Sequence, residues 1–285
     1  MRKFVPLMLV AFIACTTTTQ PVVQSQPQST IPQPPPCNPA LALVNATVWV
    51  QQGAEFRAAA LETFASATRA LDAALADPTW SAEEGTSDPS QPPAIVVDSD
   101  DTVLDNTRFE TRVLQLGKTY DDKTWADWVA EASTDAVPGA AAFLAHAKSR
   151  GVTVFYVTNR EAKEEAGTRQ RIANLGFPLD ANVDTVLTRG EREEWKVADK
   201  SSRRAHVAAS YRLLMLVGDD LNDFANARDK SVADRYQIVE DKQSWWGTKW
   251  FLIPNPMYGS WERALTGGTG TPCEQLQKKV DALKP

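Results

Sequence analysis

Ala94-Ile95-Val96-Val97 runs straight into Asp98-Ser99-Asp100-Asp101-Thr102. Four apolar residues without alternation read as a short strand covered on both faces, the pattern of a parallel sheet. The acidic stretch that follows places carboxylates at the strand's carboxyl end, where open α/β sheets bind their ligands. Two more strands end the same way. Val152 to Val157 leads into Thr158-Asn159-Arg160, and Leu213 to Val217 leads into Gly218-Asp219-Asp220-Leu221-Asn222-Asp223. If the strands are parallel, all three polar clusters share one edge of the sheet.

The segments between these strands read as helices. Phe56, Leu61, Phe64, Leu71 and Leu75 recur at helical spacing, which predicts an amphipathic helix over 54–76, stopped by Asp77-Pro78. Ser81 to Pro93 is a polar loop. Pro138 opens a helix that Gly151 follows, and Gly176 stops another over 164–175. A helix is expected over 201–210, with short strands over 184–187 and 249–253. Strands alternating with helices give an α/β fold, a mostly parallel sheet flanked by helices.

Composition narrows the chemistry. The 285 residues carry 30 Lys+Arg against 36 Asp+Glu, a formal charge of −6, which argues against a protein that coats nucleic acid. Three cysteines do not make a disulfide-dense scaffold or a cysteine-rich zinc module. The two histidines, His146 and His206, lie far apart on helical stretches, which excludes a multi-histidine zinc site. Carboxylates and lysine are left to carry any catalysis. Asp98, Asp100 and Asp219 at one edge would repel one another unless a cation neutralised them, and oxygen ligands favour a hard ion such as Mg²⁺.

The N-terminus has its own logic. Arg2 and Lys3 precede an apolar run from Phe4 to Ala14, too short to span a bilayer but right for a signal peptide. Phe12-Ile13-Ala14-Cys15 resembles a bacterial lipobox, which implies cleavage before Cys15 and lipidation of its sulfur. Thr16 at the next position, rather than Asp, favours the outer membrane. Six of the 18 prolines fall between Pro21 and Pro36, and no charge occurs from Phe4 to Ala54, so 15–38 reads as a tether. Cys37 opens the folded part and Cys273 nearly closes it; they are either a clasp or two free thiols, since sequence gives no Cα distance.

Asp98-x-Asp100-x-Thr102 after a buried strand resembles motif I of the haloacid dehalogenase superfamily. Thr158 resembles its motif II, Lys200 its motif III lysine, and Gly218-Asp219 through Asp223 its motif IV. Three longer stretches, 98–106, 217–224 and 247–262, are similar to the class C bacterial acid phosphatases, the lipoprotein e(P4)-like group. Ser99 and Asp101 stand where that group commonly has Leu and Glu. The resemblance implies a Rossmann-like core over 94–265 with a small helical cap near 106–137, an N-terminal helical segment over 39–93 and a tail over 266–285. It implies a Mg²⁺-dependent acid phosphatase of small phosphate monoesters. Asp98 is then the nucleophile that forms an aspartyl-phosphate, and Asp100 the general acid and base. Mg²⁺ is held by Asp98, the Asp100 carbonyl and Asp219, with Asp223 orienting a metal-bound water. Thr158 binds a phosphoryl oxygen, and Lys200 neutralises another while keeping Asp98 ionised. Asn159 is a further substrate contact, and Trp125 and Tyr258 would stack a substrate ring, which would make a 5′-nucleotidase.

Blander roles compete: Thr158 as a strand cap, Asp223 as a helix cap, Lys196 in place of Lys200, and plain packing for Trp125, Trp128 and Tyr258. Asp101, Asp105 and Asp220 are taken as structural carboxylates. The resemblance also admits a homodimer. Two alternatives stand beside hydrolysis: phosphotransfer to an alcohol through the same intermediate, and a non-catalytic surface-binding lipoprotein.

Overall fold

A computed structural model describes residues 37–284 except 86 and 87. The expected signal peptide, Cys15 and nearly all of the tether lie outside the described residues. After a short 3₁₀ turn the helices are α1 (Val44–Gln52), α2 (Ala54–Ala76), α3 (Thr107–Gln115), α4 (Asp122–Glu131), α5 (Ala140–Ser149), α6 (Glu165–Asn174), α7 (Ser201–Ala208), α8 (Val232–Asp241), α9 (Ser260–Thr266) and α10 (Pro272–Asp281). The strands are β1 (Pro93–Val97), β2 (Leu104–Asp105), β3 (Asp135–Ala136), β4 (Thr153–Glu161), β5 (Val186–Arg189), β6 (Arg212–Gly218) and β7 (Trp250–Leu252).

Five strands form one sheet in the order β5-β4-β1-β6-β7, every pairing parallel. The chain starts in the middle at β1, builds outward through β4 and β5, then crosses back to β6 and β7. That reversal beside β1 is a topological switch point, and a crevice opens there at the carboxyl ends. Val97 is level with Tyr156 on one side and Val217 on the other, so the next residues of all three strands reach the edge together.

Helices cover both faces. Ile95 and Val97 of β1 pack with Phe56, Phe64 and Leu71 of α2 and Phe143 of α5. Ala94 and Val96 point the other way, among Phe155, Leu216, Phe224 and Trp250. This period-two division of β1 is why its sequence shows no polar position. Leu214 and Met215 of β6 share one face because the β1–β6 register shifts between Ala94 and Ile95. A third, smaller cluster joins Phe109 and Val113 of α3 to Trp128 of α4, with the half-buried Trp125 against it. This helical pair, flanked by the β2–β3 ladder, is inserted between β1 and α5.

Several boundaries differ from the sequence expectation. The α2 helix spans the predicted residues. β4 runs on to Glu161 instead of ending at Val157, because Arg160, 3% exposed, is buried in the strand against a carboxylate. β5 lies two residues later than expected. The helix following β4 begins as a 3₁₀ turn at Ala162, capped by Glu161 and Glu164. The expected tail contains α10, with a Thr271–Glu274 capping box. Cys37 and Cys273 are joined by a disulfide, with Cα atoms 6.1 Å apart.

Candidate active site

β1 ends at Val97, and the backbone turns at once. Val103 and Leu104 N–H donate to the Ser99 carbonyl, and Asp101 adopts a left-handed φ of 54° to close the loop. The turn gives the carboxylates different tasks. Asp101 is 5% exposed; its carboxylate accepts from the Asn106 N–H at 3.0 Å and from the Tyr258 hydroxyl. Asp105 accepts from the Thr107 N–H at the start of α3. These are structural roles, as is that of Asp220, which accepts from the Asn222 N–H.

Asp98 is 8% exposed and receives the ammonium of Lys200. The same ammonium reaches Asp223 Oδ1 at 2.7 Å. Lys196 instead forms an exposed pair with Glu193, so Lys200 is the lysine that enters the site. Asp223 Oδ2 accepts the N–H groups of Asp219 and Asp220 at 3.1 and 2.9 Å. Its side chain lies on Gly218, where a Cβ would come within 2.4 Å of Asp223 Cβ. A glycine at the end of β6 is therefore a condition for Asp223 to sit there. Asp219 is gripped at both oxygens: Thr102 Oγ1 donates to Oδ1 and Asn255 Nδ2 to Oδ2, each at 2.8 Å.

Asp98, Asp219 and Asp223 each offer an oxygen, and these oxygens lie within 4.8 Å of one another. Burial pushes Asp98 up to about 7; Lys200 opposes this, and Asp223 and Asp100 add to it. Burial, then repulsion from Asp223 and Asp98, also raises Asp219 well above its ordinary value. Burial works against the Lys200 charge too, but Asp223 and Asp98 keep it above the usual lysine value. Three desolvated carboxylates with one ammonium, which reaches only Asp98 and Asp223, fit a divalent cation, which all-oxygen donors of this kind prefer.

The other predicted residues fall around this group. Thr158 is fully buried within β4; its hydroxyl is 3.4 Å from Asp100 Oδ2 and accepts from the Arg160 N–H at 3.1 Å. Asp100 is held by Arg160, whose Nη2 and Nε approach Oδ1 at 2.7 and 3.0 Å. The Asn159 side-chain oxygen Oδ1 accepts from Arg203 Nη2 at 2.7 Å. Arg203 is fully buried, also donates to the Thr158 carbonyl, and is lowered to about 10 by burial. The Tyr258 ring packs partly against the main core while its hydroxyl engages Asp101. Trp125 meets Phe109 edge-on, with centroids 4.9 Å apart. Trp128 is buried and donates from Nε1 to Asn106.

Four residues that hold this arrangement were not singled out in the sequence: Arg160, Arg203, Asn106 and Asn255. Arg160 had a signal, since it directly follows two polar residues at a buried strand's end. Asn255 had none, because a loop asparagine acquires its partner only through the fold.

Comparison with known proteins places this geometry. Residues 11–261 match a family described as HAD superfamily, subfamily IIIB (Acid phosphatase). The crystal structure of a class C acid phosphatase from Bacillus anthracis with tungstate bound is similar at 33% identity and a TM-score of 0.77, over 86% of this chain and 98% of that one. A second structure of the class C acid phosphatase from that organism matches at 32% identity with the same TM-score, over 87% of this chain and 99% of that one.

Proposed function

The chain belongs to the acid phosphatases of HAD subfamily IIIB, and from that premise we propose that it hydrolyses phosphate monoesters in two steps through an aspartyl-phosphate, an acyl phosphate on Asp98. The observation that carries this reading is the Lys200 ammonium shared by Asp98 and Asp223, with Asp219 alongside. It leaves one carboxylate at the end of the central strand oriented for attack, with positive charge beside it.

Asp98 attacks phosphorus, and the ester oxygen leaves with a proton from Asp100. Asp100 then takes a proton from the water that releases phosphate, and such acid–base help is worth about 10²–10⁴-fold. Thr158 offers its hydroxyl to a phosphoryl oxygen, and Lys200 offers charge. Asp98, Asp219 and Asp223 would hold Mg²⁺, which supplies positive charge that lets an anionic nucleophile meet an anionic phosphate. Thr102 and Asn255 keep Asp219 aimed at that position whatever the substrate.

The test is phosphate release from a chromogenic monoester with EDTA and with Mg²⁺ restored. Loss and recovery support the reading; full activity in EDTA removes the metal from it. Label from radioactive substrate should stay on the acid-quenched protein and be absent from Asp98→Asn. An added alcohol that lowers phosphate release without lowering leaving-group release would favour phosphotransfer.

A nucleoside leaving group is the narrower reading. The half-buried Trp125 ring lies 5.4 Å from the Arg160 guanidinium that touches Asp100, close to where a leaving group must accept its proton. Trp125→Ala should raise KM for a nucleoside monophosphate and spare a short alkyl phosphate; equal effects would remove this reading. We further place the enzyme in a bacterial envelope, anchored through Cys15. Incorporation of labelled fatty acid that disappears in Cys15→Ser would support the anchor.

A further inference from the structure

We propose that Arg160 is a positioning residue for the acid–base step, fixing which oxygen of Asp100 carries the proton. The inference rests on the acid–base reading of Asp100 given above.

The two oxygens of Asp100 are not equivalent. Oδ1 accepts from Arg160 Nη2 at 2.7 Å, Asn106 Nδ2 at 2.8 Å and Arg160 Nε at 3.0 Å. Oδ2 takes the longer contacts, Arg160 Nε at 3.1 Å and Thr158 Oγ1 at 3.4 Å. Oδ1 holds the shorter contacts and Oδ2 only the longer ones, one of them the Nε–H that the two oxygens share, so Oδ2, the oxygen beside Thr158, is the one freer to carry the proton. In the first step an Asp98 oxygen bonds to phosphorus and the bond from phosphorus to the ester oxygen breaks. Its electron pair stays on that oxygen, which takes the Oδ2 proton and leaves as the alcohol. Asp100 remains as a carboxylate with the guanidinium as its partner.

Arg160 is built to hold still. Its side chain is 2% exposed, against 16% for Asp100. Nη1 donates to Thr168 Oγ1 of α6 at 3.1 Å, and Thr168 is itself fixed to the Glu164 carbonyl. The guanidinium also lies over the Trp125 ring of the α3–α4 insertion, 5.4 Å from its centroid. A planar fork held at three sides fixes the carboxylate's rotation as well as its place, which a lysine could not do.

The test compares kcat/KM for an alkyl phosphate, whose leaving oxygen needs a proton, with that for a dinitrophenyl phosphate, whose leaving oxygen does not. Arg160→Met should lose about 100-fold or more on the alkyl ester, the lower part of the usual acid–base contribution, and only a few-fold on the dinitrophenyl ester. Asp100→Asn should show the same selectivity, and adding Arg160→Met to it should cost nothing further on the alkyl ester. Arg160→Lys keeps a cation without the fork, so it should lose the alkyl ester selectively even if Arg160→Met folds poorly. Equal losses on both esters, additive losses in the double variant, or wild-type selectivity in Arg160→Lys would each overturn the positioning role while leaving Asp100 as the acid. If Asp100→Asn itself shows no selectivity, the acid–base reading falls, and this inference falls with it.

Discussion

Asn255 Nδ2 lies 2.8 Å from Asp219 Oδ2, which ties the loop after β7 to the carboxylate at the end of β6. Thr102 takes the other oxygen at the same distance, so Asp219 has no free rotation. Asn255→Leu should leave the sheet intact and weaken divalent-cation binding by about 10–100-fold, the usual effect of removing a partner of a metal ligand. Calorimetric titration with Mg²⁺ reads this without substrate. An unchanged affinity would mean that Asp219 is aimed by Thr102 alone.

Lys200 is the cation that makes the buried carboxylates tolerable. Lys200→Met leaves Asp98 and Asp223, both under 10% exposed, without the ammonium that joins them. Breaking a buried pair this way costs about 3–5 kcal/mol. A bound divalent cation replaces part of that charge, so Mg²⁺ should raise the Tm of this variant more than it raises that of the wild type. Equal increments would show that the ammonium and the cation act at separate places.

Gly218→Ala should act through Asp223. A methyl group there would lie within 2.4 Å of the Asp223 carboxylate, and the side chain would have to leave the N–H groups of Asp219 and Asp220. Phosphatase kcat should fall by at least ten-fold with the far-ultraviolet spectrum unchanged. Full activity would show that the loop absorbs the methyl group by shifting as a unit.

Glu110 offers a pH effect away from the chemistry. It is 7% exposed on α3, and burial, with the Glu262 charge adding to it, pushes it up to about 7 from an ordinary 4.5. The folded protein therefore holds a proton there that the unfolded chain releases, so this group lowers stability as pH rises from about 4.5 to 7. Glu110→Gln removes the ionisable group and keeps the shape. Its Tm should match the wild type near pH 4 and exceed it by several degrees at pH 8. A Tm difference that does not change with pH would show that Glu110 does not titrate in this range.

Much of this was legible because it follows from local chemistry. α2 was read to the residue because Phe56, Phe64 and Leu71 face one core. The apolar strands announce themselves because both of their faces are covered. Where the reading fell short, the cause is tertiary. β4 was read as ending at Val157, before Arg160, since nothing local says that a carboxylate 60 residues away will neutralise that arginine inside the sheet. α8 has no buried residue and leaves Tyr236 69% exposed, so it offers no apolar stripe to detect. The site shows the same division. The acidic motif residues follow strands and could be found, whereas Asn255, Asn106 and Arg203 take their roles from partners that only folding supplies.

The Cys37–Cys273 bond joins the first described residue to the first turn of α10, across 236 positions of sequence. A pull applied to the two ends of that chain is carried from one cysteine to the other through a single covalent link. The sheet, helices α1 to α9 and every carboxylate of the site lie in a slack loop that the tension bypasses. In the oxidised state a pull at the C-terminal end would load α10 beyond Cys273 and no strand of the sheet, and after reduction the same pull would be borne by the fold itself.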